Sequence, residues 1–592
     1  MRSYTWLVLA ATLIGGETGV RSAVGVVERA SLNSGGVEGD NFSVNPAVSP
    51  GGRFVAFESD SIGLVPGDTN AARDIFVRDS CRGAPSGCTP STIRVSRSSA
   101  GAQANSYNLS PAISADGRFV AFESEATNLV IGDTNERRDV FLRDTCAGAS
   151  PGCTPGTTRV SVASSGAQSN EGSGQSSISA DGRYVVFQSG ATNFPGDTNN
   201  VTDVFVRDTC HGAPPGCVPS TIRASVASSG AQGSFDSFAP TISRDGRFVA
   251  FASFSTNLVP GDTNTMTDVF VRDTCLGTAT GCTPSTIRAS VAGDGAQADN
   301  HSLESALGAD GRFVAFRSQA TNLVLGDANL ADDIFLRDTC LGAPPGCVPS
   351  MTLVSVAGDG TQSLRTCKNP ALDATGRIVV FSSDAANLVP GDTNGTEDVF
   401  VRDTCASWAA GCTASTIRVS VAADGTQGRL YSSFFSPPAI SADGRFVVFD
   451  SEADNLVPDD TNGFPDVFLA ETGLGSAGAV PDGGDVPGVP VTLQKAPGGE
   501  VTLDWGPSCT SSDTDYEVYE GEIAWGFSSH EPRLCSTAGA TSATIVPSTG
   551  SAYYLVVSRN SGREGSYGRR SDGSERTQGA LACLVQQTEG CP

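Results

Sequence analysis

The stretch Ser114-Ala-Asp-Gly-Arg-Phe-Val-Ala-Phe122 decides how this chain folds. Asp116-Gly117 is a two-residue hairpin signal between strand-like runs. Pro111–Ser114 predicts strand A before the turn, and Arg118–Ser124 predicts strand B after it. Strand B is a nearly continuous apolar run, as expected of a strand buried on both faces. Downstream, Asp139-Val-Phe-Leu-Arg-Asp144 predicts strand C and Thr158–Val162 predicts strand D. No segment carries a sustained helical period.

The stretch recurs along the chain. Its arginine falls at Arg53, Arg118, Arg183, Arg247, Arg312, Arg377 and Arg445, so successive spacings by subtraction are 65, 65, 64, 65, 65 and 68. Seven copies of a four-stranded antiparallel unit predict an all-β, seven-bladed β-propeller. A β-solenoid is the alternative, but its repeats are usually shorter and lack the tight hairpin. The seventh copy has a strand C (Asp466–Ala470) and no strand D. The N-terminal stretch Val27–Gly36 matches the strand D of the third copy, Thr221–Gly230. The N-terminus is therefore expected to complete the last blade and remove its open edge.

Repeats of the form Ile-Ser-x-Asp-Gly-Arg-x-Val-Ala-Phe followed by Asp-Val-Phe-Val-Arg-Asp resemble the TolB-like (PD40, WD40-like) propeller repeats of bacterial envelope and secreted proteins. The resemblance covers residues 27 to about 473. It implies the propeller fold; the family mixes binding proteins, scaffolds, peptidase lids and a few lyases. The six repeated cysteine pairs depart from its simplest members.

The flanks complete the organisation. Residues 1–23 read as a signal peptide, with Arg2 ahead of a short apolar run. That run is shorter than the ~20 residues a membrane span needs, and no later segment is long enough either. Residues 24–473 form the expected propeller, and 474–490 a Gly/Pro-rich linker. Residues 491–592 carry Val501-Thr-Leu-Asp-Trp505, Tyr516-Glu-Val-Tyr519 and Tyr553-Tyr-Leu-Val-Val-Ser558, a pattern similar to a fibronectin type III β-sandwich.

Seventeen cysteines in 592 residues fit an oxidising compartment, hence a secreted, periplasmic or extracellular location. Twelve form Cys-x6-Cys pairs: Cys81/Cys88, Cys146/Cys153, Cys210/Cys217, Cys275/Cys282, Cys340/Cys347 and Cys405/Cys412. Disulfides are the expectation; zinc would need closer spacing and more histidine than this chain has. Four further cysteines lie in the C-terminal region, and Cys367 is left over. The net charge of −26 repels phosphate backbones and argues against nucleic-acid partners. A monomer is expected.

A meander puts the A–B and C–D loops on one face and the B–C and D–A loops on the other. The second face is the expected functional one. Each B–C loop carries Asp-x-Asn-x3-Asp: Asp68, Asn70, Asp74; Asp133, Asn135, Asp139; Asp197, Asn199, Asp203; Asp262, Asn264, Asp268; Asp327, Asn329, Asp333; Asp392, Asn394, Asp398; Asp460, Asn462, Asp466. Alternating oxygen ligands partly resemble the front of a calcium loop, so calcium is a candidate cofactor. The other reading is side-chain-to-backbone turns.

The Arg-Asp pairs that end strand C, such as Arg78-Asp79 and Arg143-Asp144, are expected to make ion pairs between blades. The non-repeated D–A loops offer Tyr107, Phe235, Phe238, His301, Arg429, Tyr431, Phe434 and Phe435 as candidate ligand-face residues. Aromatics beside polar groups suit protein or carbohydrate recognition. Their alternative role is to plug the channel mouth.

No catalytic signature accompanies them: there is no Gly-x-Ser-x-Gly elbow, no His-Glu-x-x-His and no phosphate loop. A non-catalytic binding or scaffold protein is therefore expected. The alternatives are a polysaccharide lyase or hydrolase using the channel, and a calcium-stabilised surface-structural protein.

Overall fold

The computed structural model describes residues 26–474, except 85–86, 150, 195, 279–280, 344 and 407–411, together with parts of a second β-rich region between 492 and 586. The expected signal segment, and all of the expected linker but Leu474, lie outside the described residues.

The repeats build a β-propeller. Seven four-stranded antiparallel sheets follow one another, six of them in simple A-B-C-D order. In the second, the strands are Asn108–Ile113, Phe119–Ser124, Asp139–Asp144 and Gly156–Arg159. Strand A is thus longer than expected. Strand D is shorter and ends before Val162, which instead bridges to Gln168 across a small turn. The seventh sheet is completed by the N-terminus: Val27, Glu28 and Arg29 pair with Ala470, Leu469 and Phe468.

The two faces of strand B explain the ring. Val120 and Phe122 pack with Phe54, Ala56 and Val77 of the sheet before, whereas Phe119 and Ala121 pack with Val185 and Phe187 of the sheet after. Every strand B works this way. The last such cluster joins Phe446, Val448 and Leu469 of the seventh sheet to Val55, Phe57 and Phe76 of the first. Burying one such Phe contributes about 1.5–3 kcal/mol.

Each element of the repeated motif has a local task. Ser114 Oγ caps the turn, accepting from Phe119 N (2.9 Å) and donating to Asp116 Oδ1 (2.5 Å). Gly117 has φ +72°, and a Cβ there would stand 2.3 Å from the ring of Phe54 in the preceding sheet. Arg118 forks onto Asp144 of its own sheet through Nε (2.8 Å) and Nη2 (2.7 Å). This corrects the expectation for the Arg-Asp ends of strand C: the aspartate is paired within its sheet. What crosses to the preceding sheet is a hydrogen bond from Arg143 to the Ser98 carbonyl (3.3 Å).

All six expected cystine bridges are formed in the C–D loops on this face. In the first five sheets the strand-B arginine also brings Nη2 to 3.7–4.0 Å from the second sulfur of the bridge, that of Cys88, Cys153, Cys217, Cys282 or Cys347. The sixth bridge, Cys405–Cys412, has a Cα–Cα distance of 5.9 Å.

The inner strands line the channel as edge strands, which is where proline is tolerated; Pro46, Pro111, Pro240 and Pro370 sit there. In six of the sheets strand A carries a β-bulge with a residue in the left-handed region, such as Ser110 (φ 52°) or Asn369 (φ 58°). At the Asp-Gly-turn end the axis is ringed by Val48, Ile113, Ile178, Ile242, Leu307, Leu372 and Ile440, one from each sheet.

The C-terminal region contains a three-stranded sheet, in which Val501–Asp504 pairs with both Thr492–Lys495 and Ser542–Ile545, and a five-stranded sheet centred on Asp515–Glu522 and Ala552–Asn560. Val501, Leu503, Trp505, Tyr516, Val518 and Val556 share one core, with Trp505 edge-on to Tyr516 at 5.6 Å.

Candidate ligand face

Three groups of residues converge on the face that carries the B–C and D–A loops: the acidic loops, the aromatics, and a set of charges around the channel mouth. The cystine loops, from Cys81–Cys88 to Cys405–Cys412, lie on the opposite face and contribute nothing to it.

The acidic loops are occupied by the protein itself. Arg94, arriving on strand D, places Nη1 2.8 Å from Asp68 and 3.2 Å from Asp74. Arg159, Arg223, Arg288 and Arg418 repeat the arrangement, and Arg29 supplies it to Asp460 and Asp466 in the seventh sheet. The asparagine also turns inward: Asn70 Nδ2 donates to Asp74 Oδ2 (3.0 Å) and to the Ala104 carbonyl (2.9 Å). The second aspartate accepts from a serine two residues past the end of strand D, Ser96 for Asp74 and Ser31 for Asp466. Burial pushes the Asp68 and Asp74 carboxyls up, and Arg94 pulls both back. In these six loops an ion would have to displace a guanidinium.

The fifth sheet departs from the pattern. Leu353 stands where the others have arginine, and Ala328 where the others have threonine. In sheets such as the second, the glutamine after strand D bonds the threonine hydroxyl, as Gln168 does to Thr134 (2.9 Å). Gln362 instead reaches between the carboxylates, 2.7 Å from Asp327 and 3.1 Å from Asp333. Burial, reinforced by the nearby Asp327 charge, pushes Asp333 up to about 6.

The aromatic candidates separate into two clusters and isolated residues. Tyr431 meets Phe434 at 4.9 Å, and Phe434 meets Phe435 edge-on at 5.3 Å. The series continues through Phe42 at 6.1 Å to Phe464 at a further 5.3 Å, so three loops from two neighbouring sheets contribute. Lys368 Nζ lies 6.0 Å from the Phe434 ring centroid and 3.0 Å from Glu397. Tyr431, Phe434 and Phe435 keep 41–52 % of their surface exposed. Phe238 contacts Phe254, which contacts His301. His301 Nδ1 accepts from Thr267 N (3.0 Å), which anchors the ring. Tyr107 and Phe235 are exposed singly, and Arg429 reaches the exposed Asp454.

The charges around the mouth escaped the sequence reading. Strand B ends Phe-x-Ser in every repeat, and x is Glu58, Glu123, Gln188, Ala252, Arg317, Ser382 or Asp450. Variation inside constant flanks was the available signal. Glu58 accepts from Ser110 N of the next inner strand (3.0 Å) and pairs with Arg73 (3.2 Å). Arg138 bridges Glu123 and Glu125, and Arg317 bridges Glu304 and Asp332. Burial pushes Glu58, Glu123 and Asp450 up, Asp450 to about 6. These carboxylates are engaged by backbone or side chains, an arrangement suited to holding the bulged inner strands.

Cys367 is fully buried in the inner strand of the sixth sheet, and burial pushes its thiol up to about 12. A nucleophile needs the opposite shift.

No family model and no curated protein matches the sequence. Solved structures give fold-level likenesses. TolB from Acinetobacter baumannii aligns at 16 % identity and TM-score 0.28, over 56 % of this chain and 57 % of its own. Kuenenia stuttgartiensis hydrazine synthase aligns at 14 % and 0.33, over 74 % and 96 %. An acylaminoacyl peptidase aligns at 9 % and 0.38, over 80 % and 59 %. This chain thus spans about 57 % of the length of that TolB. Both peptidases and TolB proteins are among these neighbours; the architecture rests on the seven sheets themselves. No helix among the described residues is long and apolar enough to cross a membrane.

Proposed function

We propose that this chain is a non-catalytic binding or scaffold propeller of the cell exterior, recognising a protein or carbohydrate at the channel mouth. The observation that carries the reading is the half-exposed series Tyr431, Phe434, Phe435, Phe42 and Phe464 with Lys368 at its edge. Half-exposed rings from several loops offer apolar area with little conformational entropy to lose on binding. Six cystine bridges and the apolar N-terminal run favour export. The acidic loops are read as internal ion-pair turns, with calcium unnecessary to them. The C-terminal region is read as a fibronectin type III-like accessory; its 3 + 5 strand arrangement supports this.

The test is a glycan array and a culture-supernatant pull-down with the full chain, repeated with Tyr431→Ala/Phe434→Ala/Phe435→Ala. A retained partner that the triple variant loses supports the reading. A partner held equally by both moves recognition away from these rings, and turnover of an acidic polysaccharide replaces the binding reading with an enzymatic one.

A further inference from the structure

On the opposite face, where the Asp-Gly turns gather, the channel opens as a cavity of about 230 Å³. Its wall takes one aliphatic side chain from each sheet, from Val48 in the first to Ile440 in the seventh. The next lining position, two residues on, is Pro50, Ala115, Ala180, Arg244, Ala309, Ala374 or Ala442. Six of the seven are small and apolar, and one is arginine. Repetition makes that exception informative: the packing of the ring does not require it.

The rim is held in place by its own backbone. Ala115 N donates to the Ala180 carbonyl (2.9 Å), Ala180 N to Arg244 (2.9 Å), Arg244 N to Ala309 (3.2 Å), and so on through Ala374 to Ala442. Arg244 is therefore fixed through its main chain while its side chain is exposed and has no hydrogen-bond or ion-pair partner among the described residues. Other basic side chains of this face are engaged: Arg183 and Arg247 fork onto Asp208 and Asp273. The flanking turn aspartates are also engaged, Asp181 by Ser179 and Arg183 N, and Asp245 by Ser243 and Arg247 N. Asp373, the other ionisable residue of the lining, turns into its own hairpin and accepts from Thr375 (2.6 Å) and Ile378 N (3.0 Å).

We propose that this axial cavity binds a carboxylate carried on a short apolar body, the chain entering the aliphatic ring and the carboxylate meeting Arg244. Concave sites lined by aliphatic side chains with a few placed polar groups are where small ligands bind, and the Arg244 guanidinium, the one cation of this lining, matches a carboxylate through two parallel hydrogen bonds. The site is independent of the aromatic series on the other face.

The full chain, methyl-labelled at isoleucine, is titrated with octanoate, 1-octanol, acetyl-trileucine and acetyl-trileucine amide. Octanoate is expected to shift the Ile178, Ile242 and Ile440 methyl signals saturably, and to bind at least tenfold more tightly than octanol. Arg244→Ala, at an exposed position outside the core, is expected to abolish that difference. Tighter binding of acetyl-trileucine than of its amide identifies the source as a peptide C-terminus; binding of octanoate alone identifies a free fatty acid. Unmoved isoleucine methyls, or equal octanoate affinity in the wild type and Arg244→Ala, overturn the proposal. Phe434→Ala should leave these titrations unchanged, so loss of one site is distinguishable from loss of the other.

Discussion

Gly52 of the first sheet lies against the ring of Phe446 of the seventh, and a Cβ on it would stand 2.6 Å from Cγ and Cδ2. The contact spans the point where the propeller closes, and the Asp-Gly turns of the second to fifth sheets make the same contact with the sheet before. Gly117 does so against Phe54, at 2.3 Å. Gly132, in a B–C loop, shares the left-handed φ (+78°) but has nothing within 4 Å. Gly132→Ala should therefore cost only the backbone term, about 1–2 kcal/mol. Gly117→Ala should cost about 1–3 kcal/mol more, because the ring must move. Guanidinium unfolding midpoints compare the two; equal shifts would remove the inter-sheet role of the turn.

Arg29 enters the last sheet on the N-terminal strand and meets Glu38, Asp460 and Asp466 with only 6 % of its side chain exposed. Arg29→Ala leaves buried carboxylates without a cation, a change expected to destabilise by about 3–5 kcal/mol. It should also loosen strand Val27–Arg29 and bare the edge at Asp466–Glu471. Hydrogen exchange across residues 466–471 should rise in the variant well above that of the equivalent strand 139–144. Uniform loss of protection around the ring would show that the closing strand is no weaker than the rest.

The fifth sheet offers a pH test. Asp333 has a folded-state pKa of about 6, above the ordinary 3.8, so protonation favours folding there. Its contribution is complete below about pH 4 and is lost as pH rises through about 6, at most about 3 kcal/mol. Ala328→Thr/Leu353→Arg restores the pattern of the other sheets and supplies the missing cation. The double variant should gain about 1–3 kcal/mol over the parent at pH 7 and much less at pH 4, read from denaturant midpoints. A gain independent of pH would mean that packing, not charge, is what the arginine supplies.

Six acidic loops already hold a guanidinium, so calcium at about millimolar concentration should leave the melting temperature where chelator leaves it. A rise of several degrees that magnesium does not reproduce would make these loops ion sites after all.

Cys367 should be silent in the native state. With its thiol buried and pushed up to about 12, wild type and Cys367→Ser should give the same thiol count with an aromatic disulfide reagent at pH 8. They should differ by one after denaturation. A native-state difference would mean that the inner strand of the sixth sheet opens readily.

Much of this molecule was legible because its determinants are local. Asp116-Gly117 specifies a turn, the run to Ser124 specifies a strand buried on both faces, and six residues lie between the cysteines of each bridged pair. Even the closing strand could be read, because Val27–Gly36 repeats a pattern seen elsewhere in the chain. The acidic loops were legible as a pattern but not as a site. Arg94 lies 20 residues beyond Asp74, in an ordinary Ser-Thr-Ile-Arg strand, and nothing local shows that it folds back between two carboxylates.

What the sequence by itself determined is the repeat, its strands, its turns and its cystines, since each depends on neighbours a few residues apart. Tertiary structure alone decided which side chains meet across sheets. Phe42 reaches Phe435 nearly four hundred residues away, Asp144 pairs within its sheet and not between sheets, and Arg244, without a side-chain partner among the described residues, stands on an aliphatic ring assembled from all seven repeats. The physical reason is that a closed ring makes each sheet the wall of its neighbours. Contacts are then set by position around the axis, which strand propensity and hydrophobic period do not encode.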